Sequence, residues 1–298
     1  RQRQMCIRDS FNGLRLTESL APLLLFLLFY ALWPQAALSA ALASWLLGLG
    51  LVVLLGLIWL SRGRRLRLCW DRSGQRELLA YSGRSHPDLL FQQVILRSDY
   101  LFVSAMLGSA ALGHYAMASA AAELLLIVPE AVTTPLMKRL LQQDAGMDKL
   151  TPLALRLTAT VMLGACLGMA LVGEWLIVTL FGAAYQPAYP ALLGLLPGLF
   201  GLCYASILRL DLLGKNRPGA VSIMMGAGAA LNLVLNVLLI PRFGLVGAAL
   251  ASSIAYLAVT LAMLVLYCRL SGVAWWRTLL ILPSDLLPLR RMLPGRAA

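Results

Sequence analysis

The sequence predicts an all-α polytopic membrane protein, and three observations support that fold class. Hydrophobic residues make up 60% of the 298 residues and charged residues only 13%, whereas a soluble domain has about 25% charged residues. Apolar runs long enough to cross a bilayer core of about 30 Å recur along the chain. These runs lack the strict alternation of barrel strands, and a helix satisfies its own backbone hydrogen bonds in lipid. We therefore expect a bundle of about eight transmembrane helices.

The eight apolar runs follow one another with short interruptions. In chain order they cover residues 14–33, 36–60, 90–108, 112–137, 153–172, 188–210, 218–240 and 244–268. Pro-Arg-Phe-Gly at 241–244 separates the last two runs and predicts a tight turn. Residues 173–189 are apolar as well, and we expect them to form a loop that dips into the membrane interface.

The polar segments divide the chain into five parts. Residues 1–10 show no periodicity and resemble a translated sequencing adapter, so they are left out of the fold prediction, and we expect the natural protein to begin upstream. Residues 11–60 hold two transmembrane helices, which would belong to a truncated first lobe, and 61–89 form a basic cytoplasmic loop. Residues 90–268 hold six helices of a second lobe, and 269–298 form a cytoplasmic or interfacial tail.

The basic residues are distributed very unevenly between the two sides of this topology. The chain has 25 Lys and Arg; outside the first ten residues, 21 fall on one side of the membrane and only Arg242 on the other. Cytoplasmic loops carry such an excess of positive charge. We therefore place both ends of the chain in the cytoplasm and explain the net charge of +12 by topology, not by binding to nucleic acid.

The sequence offers no motif for catalysis, a cofactor or a metal ion. It has no Gly-rich phosphate loop, no Ser/His/Asp set and no Cys or His spacing typical of a metal site. His86 and His114 fall on opposite sides of the membrane in the predicted topology. We therefore expect neither an enzyme nor a cofactor.

Ionisable side chains inside spans are the first candidates for a functional site, because they normally face a bundle interior or a watery cavity. Glu123 lies near the middle of its run, and Asp99 lies inside the third run with Arg97 two residues before it. Glu123 and Asp99 are candidates for lining a cavity and binding a coupling ion. The alternatives are a carboxyl group satisfied by a neighbouring helix for Glu123, and a pair with Arg97 at the entry of the helix for Asp99.

Four further polar residues are candidates for the same cavity. Arg156 and Arg209 lie near the cytoplasmic ends of their runs, where a purely structural role is the alternative. Asn232 and Asn236 are one helical turn apart, so one neighbouring helix or one water-filled cleft could satisfy both.

Three segments carry a resemblance to a known family. Residues 97–140, 180–198 and 232–257 resemble the polysaccharide biosynthesis flippases, the O-antigen and exopolysaccharide transporters of the multidrug/oligosaccharidyl-lipid/polysaccharide exporter superfamily. The most specific segment is "NLVLNVLLIPRFGLVGAALASSIAYL", with its Asn residues, Ile-Pro-x-x-Gly turn and Gly-Ala-Ala start of the final helix. The resemblance covers roughly 90–268 and, more weakly, 11–60.

The resemblance implies translocation of an undecaprenyl-diphosphate-linked oligosaccharide across the bacterial inner membrane by alternating access between two six-helix lobes. It further implies membrane lipids and polysaccharide polymerases as partners. Arginine suits a diphosphate, which on this resemblance makes Arg97, Arg156 and Arg209 candidate ligands of the substrate. The alternatives are a drug or metabolite cation antiporter of the same superfamily, a membrane enzyme of polysaccharide assembly, and a structural scaffold.

Overall fold

The computed structural model describes residues 2–63, 72–127, 129 and 147–279, and within some of these helices only the backbone. Every regular element in this part of the chain is helical. The chain divides into two compact units, and the boundary along the chain lies between Arg72 and Ser73. The predicted all-α polytopic membrane bundle is confirmed.

The first unit is a helical hairpin. It consists of α1 (Gln2–Leu32), a short 3-10 turn (Pro34–Ala36) and α2 (Ala37–Gly63). Its helices pack against each other and approach closely where Gly48 meets the ring of Pro22. Residues 2–10, which were left out of the prediction, continue α1 towards its start.

The second unit contains the remaining helices. In chain order these are α3 (Arg72–Leu107), α4 (Ser109–Glu123), α5 (Met147–Phe181), α6 (Tyr189–Gly214) and α7 (Pro218–Ser271). Three 3-10 turns accompany them, at Leu124–Leu126, Ala183–Ala188 and Trp275–Thr278.

Helix α7 is a hairpin of two antiparallel halves, 218–243 and 245–271. The break lies at Gly244, whose φ of 58° and ψ of −133° are not helical and suit glycine. Gly247 lies against the backbone of Leu239, and Gly228 lies against the side chain of Val259. These contacts close the hairpin along its length, as the turn at 241–244 predicts.

Helix α6 lies at the centre of the second unit and packs against α4, α5 and both halves of α7. Its closest approach is to the second half of α7, where a Cβ on Gly198 would overlap the Cα of Ser253. The Ser253 hydroxyl accepts a hydrogen bond from the Gly198 N–H at 3.0 Å and donates to the Gly194 carbonyl at 2.5 Å. Small residues thus allow two backbones to meet inside the bundle.

Four apolar helical stretches of the described residues are long enough to span a membrane: Pro34–Trp59, Thr151–Phe181, Ala183–Gly214 and Pro218–Ser271. The last of these makes two passes because of the break at Gly244. The fourth predicted span, 112–137, is only partly described: residues 128 and 130–137 lie outside the described residues.

Two helices extend beyond the spans that hydropathy predicts. Helix α3 begins at Arg72, so the predicted loop 61–89 is helical from that residue onward. Helix α5 continues to Phe181, although the run was expected to end at 172. Hydropathy measures the length of an apolar run and not helicity, so it does not detect the polar start of α3. The extension of α5 is apolar, and it was assigned to a loop.

Candidate functional site

A buried carboxylate, Asp99, lies where α3, α4 and both halves of α7 meet. Its side chain is 2% exposed. Its Oδ2 accepts hydrogen bonds from the Tyr115 hydroxyl at 2.7 Å and from the Ser252 hydroxyl, and its Oδ1 accepts from Asn236 Nδ2 at 3.1 Å. Three uncharged donors from three helical segments therefore hold one carboxylate.

The two asparagines of α7 extend this network. Asn232 Oδ1 accepts from the Ser98 hydroxyl at 2.8 Å and from Asn236 Nδ2 at 3.0 Å, while Asn232 Nδ2 donates to Ser252 Oγ at 3.1 Å. Both asparagines are fully buried. Of the two alternatives for them, bonding between helices is the one that the structure shows.

One oxygen of the network remains without a donor. Asn236 Oδ1 is buried and has no hydrogen-bond partner in the described part of the chain. A buried acceptor of this kind costs free energy unless something fills its need. It belongs to the same side-chain amide whose Nδ2 donates to Asp99.

The two candidate coupling residues face a common void. A cavity of about 20 Å³ is lined by polar groups of Asp99, Tyr115 and Glu123, with Tyr256 from α7 and apolar side chains from α6. This volume admits about one water molecule. Asp99 and Glu123 therefore line the same small void.

Glu123 forms a two-pronged ion pair with Arg97. The distance from Arg97 Nη1 to Glu123 Oε1 is 3.1 Å, and that from Nη2 to Oε2 is 3.2 Å. Arg97 Nη1 also donates to the Tyr100 hydroxyl at 3.3 Å, and its guanidinium lies 5.4 Å from the centre of the Tyr100 ring. The Arg97 side chain is 54% exposed and that of Glu123 is 31% exposed.

The depth of this pair follows from the turn between α3 and α4. Arg97 precedes the turn at Gly108 by eleven residues, about 16 Å of helix, and Glu123 follows it by fifteen, about 22 Å. In the predicted topology, in which Gly108 lies near the membrane surface, these lengths place both charges near the middle of a bilayer core of about 30 Å. A half-exposed ion pair at that depth has to face a watery cavity or protein, because lipid would not accommodate it.

Arg209 forms a different kind of pair near the C-terminal end of α6. Its Nε lies 2.7 Å from Asp88 Oδ2, and its Nη2 contacts the same oxygen. Asp88 is 2% exposed and Arg209 is 26% exposed. Asp88 Oδ1 has no hydrogen-bond partner among the described residues, so the pair is closed to solvent on the carboxylate side.

The C-terminal end of α6 holds one more buried carboxylate. Asp211 accepts a hydrogen bond from the Thr151 hydroxyl at 2.9 Å and pairs with Lys215 at 2.7 Å. Arg156 is buried on α5, a helix that carries none of the other predicted site residues.

The structure brings five of the seven predicted residues into one region: Arg97, Asp99, Glu123, Asn232 and Asn236. It does not join Arg209 to them, because Asp88 is eleven residues from Asp99, about 16 Å along α3. Within this region Arg97 forms its ion pair with Glu123 and not with Asp99.

Sequence reasoning missed three residues of the site, Ser98, Tyr115 and Ser252, and it also missed Asp88, the partner of Arg209 outside the site. The run of small residues around Ser252 indicates close packing but does not single out one hydroxyl. Asp88 fell in the predicted loop and was not considered as a partner of a membrane helix. The period of α3 offers a signal for Ser98, since it places Ser98 and Asp99 about one turn after Ile95 and one turn before Val103, along one buried side.

Two solved structures of membrane transporters are similar in fold to this chain. A MOP superfamily transporter from Pyrococcus furiosus, described as having a binding pocket of reverse polarity, superimposes with a TM-score of 0.50 at 21% identity. The match covers 72% of this chain and 47% of that one, and it shows a shared fold. An outward-facing multidrug resistance MATE-family transporter of the same superfamily matches with a TM-score of 0.49, 21% identity and the same coverage.

The family follows from a sequence profile. The profile described as "Polysaccharide biosynthesis protein" matches residues 10–190, more than half of the chain, and the chain belongs to this family of multi-pass membrane proteins. It is also 39% identical over 77 residues to an uncharacterized membrane protein of Methanocaldococcus jannaschii, covering 26% of this chain and 15% of that protein. The chain thus spans about half of the solved structures that it matches and a small part of this relative.

Proposed function

We propose that the chain forms part of a flippase that moves an undecaprenyl-diphosphate-linked oligosaccharide across the bacterial inner membrane, for O-antigen or exopolysaccharide assembly. The observation that carries the proposal is the half-exposed pair Arg97–Glu123 at mid-membrane depth, next to the buried carboxylate Asp99. Membership of the polysaccharide biosynthesis family supports the substrate class.

In this proposal Arg97 binds a phosphate of the lipid-linked sugar. A guanidinium presents its N–H groups in a fork that matches phosphate oxygens. Tyr100 lies beneath the guanidinium and helps to orient it. The lipid tail would stay in the bilayer while the charged head passes through the cavity that Arg97 faces.

Asp99 is the proposed coupling site. Three helical segments donate hydrogen bonds to it, and one of the donors, Asn236, has an Oδ1 without a partner among the described residues. Gain or loss of a proton or small cation there changes the hydrogen bonds that join α3 to α7. Such a change would bias the equilibrium between two conformations of the whole transporter, as alternating access requires.

The proposed topology keeps both ends of this chain in the cytoplasm, and a polysaccharide polymerase on the outer side would use the flipped lipid. The topology rests on the distribution of 21 basic residues against one.

Deletion of the gene in its native host tests the function. We expect the undecaprenyl-diphosphate-linked oligosaccharide to accumulate in lipid extracts, measured by mass spectrometry, and wild-type protein to restore its normal level. Arg97→Gln should fail to restore it, whereas Arg242→Gln, which changes an exposed Arg at the α7 turn, should succeed. Unchanged lipid-linked sugar together with lost export of a cationic drug would favour a drug antiporter instead.

A further inference from the structure

We propose that Glu123 competes with the phosphate of the substrate for Arg97. Arg97 bonds either Glu123 or the phosphate, and protonation of Glu123 releases Arg97. This inference rests on the proposed function, since it takes Arg97 as the phosphate ligand. It adds a direct link between binding of the substrate and uptake of a proton.

The geometry makes the two partners of Arg97 mutually exclusive. Both terminal nitrogens of the guanidinium are used on the two oxygens of Glu123, at 3.1 and 3.2 Å. Tyr100 takes a further contact at Nη1. A two-pronged grip on phosphate needs the same fork, so Arg97 has to leave Glu123 to bind phosphate in this way.

The exchange of partners is feasible because the pair is accessible. Arg97 is 54% exposed and Glu123 is 31% exposed, and solvated pairs of this kind contribute little to stability. A diphosphate, which carries one negative charge on each of its two phosphates, can therefore replace the single charge of Glu123. The carboxylate acts as a placeholder that keeps Arg97 extended and oriented when no substrate is bound.

The surroundings of Glu123 explain why a proton follows. Once Arg97 has moved, Glu123 has lost its positive neighbour and lines the same small void as the carboxylate of Asp99, and uptake of a proton by one of two like charges removes the repulsion between them. The titratable or charged groups around Glu123 come from three helices: Arg97, Asp99 and Tyr100 of α3, Tyr115 of α4 and Tyr256 of α7. Helix α6 contributes only apolar side chains to this wall.

The consequence is positive coupling between phosphate and proton. If protonation of Glu123 strengthens phosphate binding by some factor, phosphate binding strengthens proton binding by the same factor. The anionic substrate would thus be bound at Arg97 while a proton is bound at Glu123.

Binding of inorganic pyrophosphate to the purified full chain in lipid nanodiscs tests the inference. Dissociation constants are measured by calorimetry at pH 7.5 and pH 5.5 for wild type, Glu123→Gln and Arg97→Gln. Glu174→Gln is the matched control, since Glu174 is an exposed acid whose amide partner is Gln186. The pyrophosphate itself titrates in this range, so the informative quantity is the ratio of the wild-type Kd to the Glu123→Gln Kd at each pH.

We expect Glu123→Gln to bind about fivefold tighter than wild type at pH 7.5 and the ratio to be closer to one at pH 5.5, because a protonated Glu123 no longer competes for Arg97. Arg97→Gln should bind no pyrophosphate, and Glu174→Gln should match wild type. Far-ultraviolet circular dichroism of each variant checks that it is folded.

The outcomes separate the inference from the function on which it rests. A ratio of one at both pH values, with binding that still depends on Arg97, overturns the competition and leaves Arg97 as a phosphate ligand. The same tightening in Glu174→Gln also overturns it, because the effect would then be one of overall charge. Absence of binding in folded wild type and folded Glu123→Gln overturns both the inference and the role of Arg97.

Discussion

The pairs Arg209–Asp88 and Arg97–Glu123 join the same two kinds of group, yet their surroundings differ greatly. Asp88 is 2% exposed and uses one oxygen, whereas Glu123 is 31% exposed and uses both. A buried carboxylate that loses its cation keeps its desolvation cost, while a solvated one regains water. The first pair is therefore suited to fix α3 against α6, and the second to exchange partners during function.

Two other buried carboxylates extend this comparison. Asp99 is held by three uncharged donors, and Asp211 by the Thr151 hydroxyl and Lys215. The expected cost of a substitution depends on what the buried groups retain afterwards. This cost is measured as the loss of unfolding free energy, by equilibrium unfolding of the purified protein in mixed micelles with increasing dodecyl sulfate. We expect four effects of decreasing size.

Arg209→Met should produce the largest loss, about 3–5 kcal/mol of unfolding free energy. Asp88 would keep no partner, since its Oδ1 already has none in the described part of the chain. Arg242→Met is the matched control on an exposed arginine and should change stability very little. A loss below that of Lys215→Met would contradict the assignment of Asp88–Arg209 as the stabilising pair.

Asp99→Ala should cost about 2–4 kcal/mol, because it leaves the buried donors of Tyr115, Ser252 and Asn236 without their acceptor. Asp99→Asn should cost less, since its amide oxygen still accepts. Glu174→Ala, at an exposed acid, is the control. Equal losses for Asp99→Ala and Glu174→Ala would show that the network does not stabilise the fold.

Lys215→Met should cost about 1–2 kcal/mol, because Asp211 retains the hydrogen bond from Thr151. The double variant Lys215→Met with Thr151→Val removes both partners, and its loss should approach that of Arg209→Met. Strict additivity of the two single losses would argue against this dependence on the remaining donor.

The Arg97–Glu123 pair should contribute least, with a coupling energy below about 1 kcal/mol in a double-mutant cycle of Arg97→Gln and Glu123→Gln. The coupling should fall further in about 1 M salt, where screening acts over about 3 Å. A coupling energy as large as the loss in Arg209→Met would mean that the pair is structural and would weaken the case for exchange of partners.

Much of the fold was predictable because long apolar runs leave a chain few choices in lipid. The break of α7 at Gly244 followed from Pro-Arg-Phe-Gly, and the shared environment of Asn232 and Asn236 followed from their spacing of one turn. The start of α3 at Arg72 did not follow, since nothing apolar marks a polar extension of a membrane helix.

The pairing of charges was much harder to predict. Proximity in sequence suggested Arg97 with Asp99, but residues two apart lie on different faces of a helix. Their actual partners come from elsewhere: Glu123 for Arg97, and residues of α4 and α7 for Asp99. Such pairs depend on how helices rotate about their axes, which one sequence does not determine.

The hairpin form of α7 has a mechanical consequence. Asn236 and Ser252, which both bond Asp99, lie eight residues on either side of the break at Gly244, and glycine contacts hold the two halves together at Gly228 and Gly247. From Asp99 the hairpin therefore extends about 12 Å towards its turn and about 27 Å towards its open end. A small rotation of the hairpin about this carboxylate would move the open end more than twice as far as the turn.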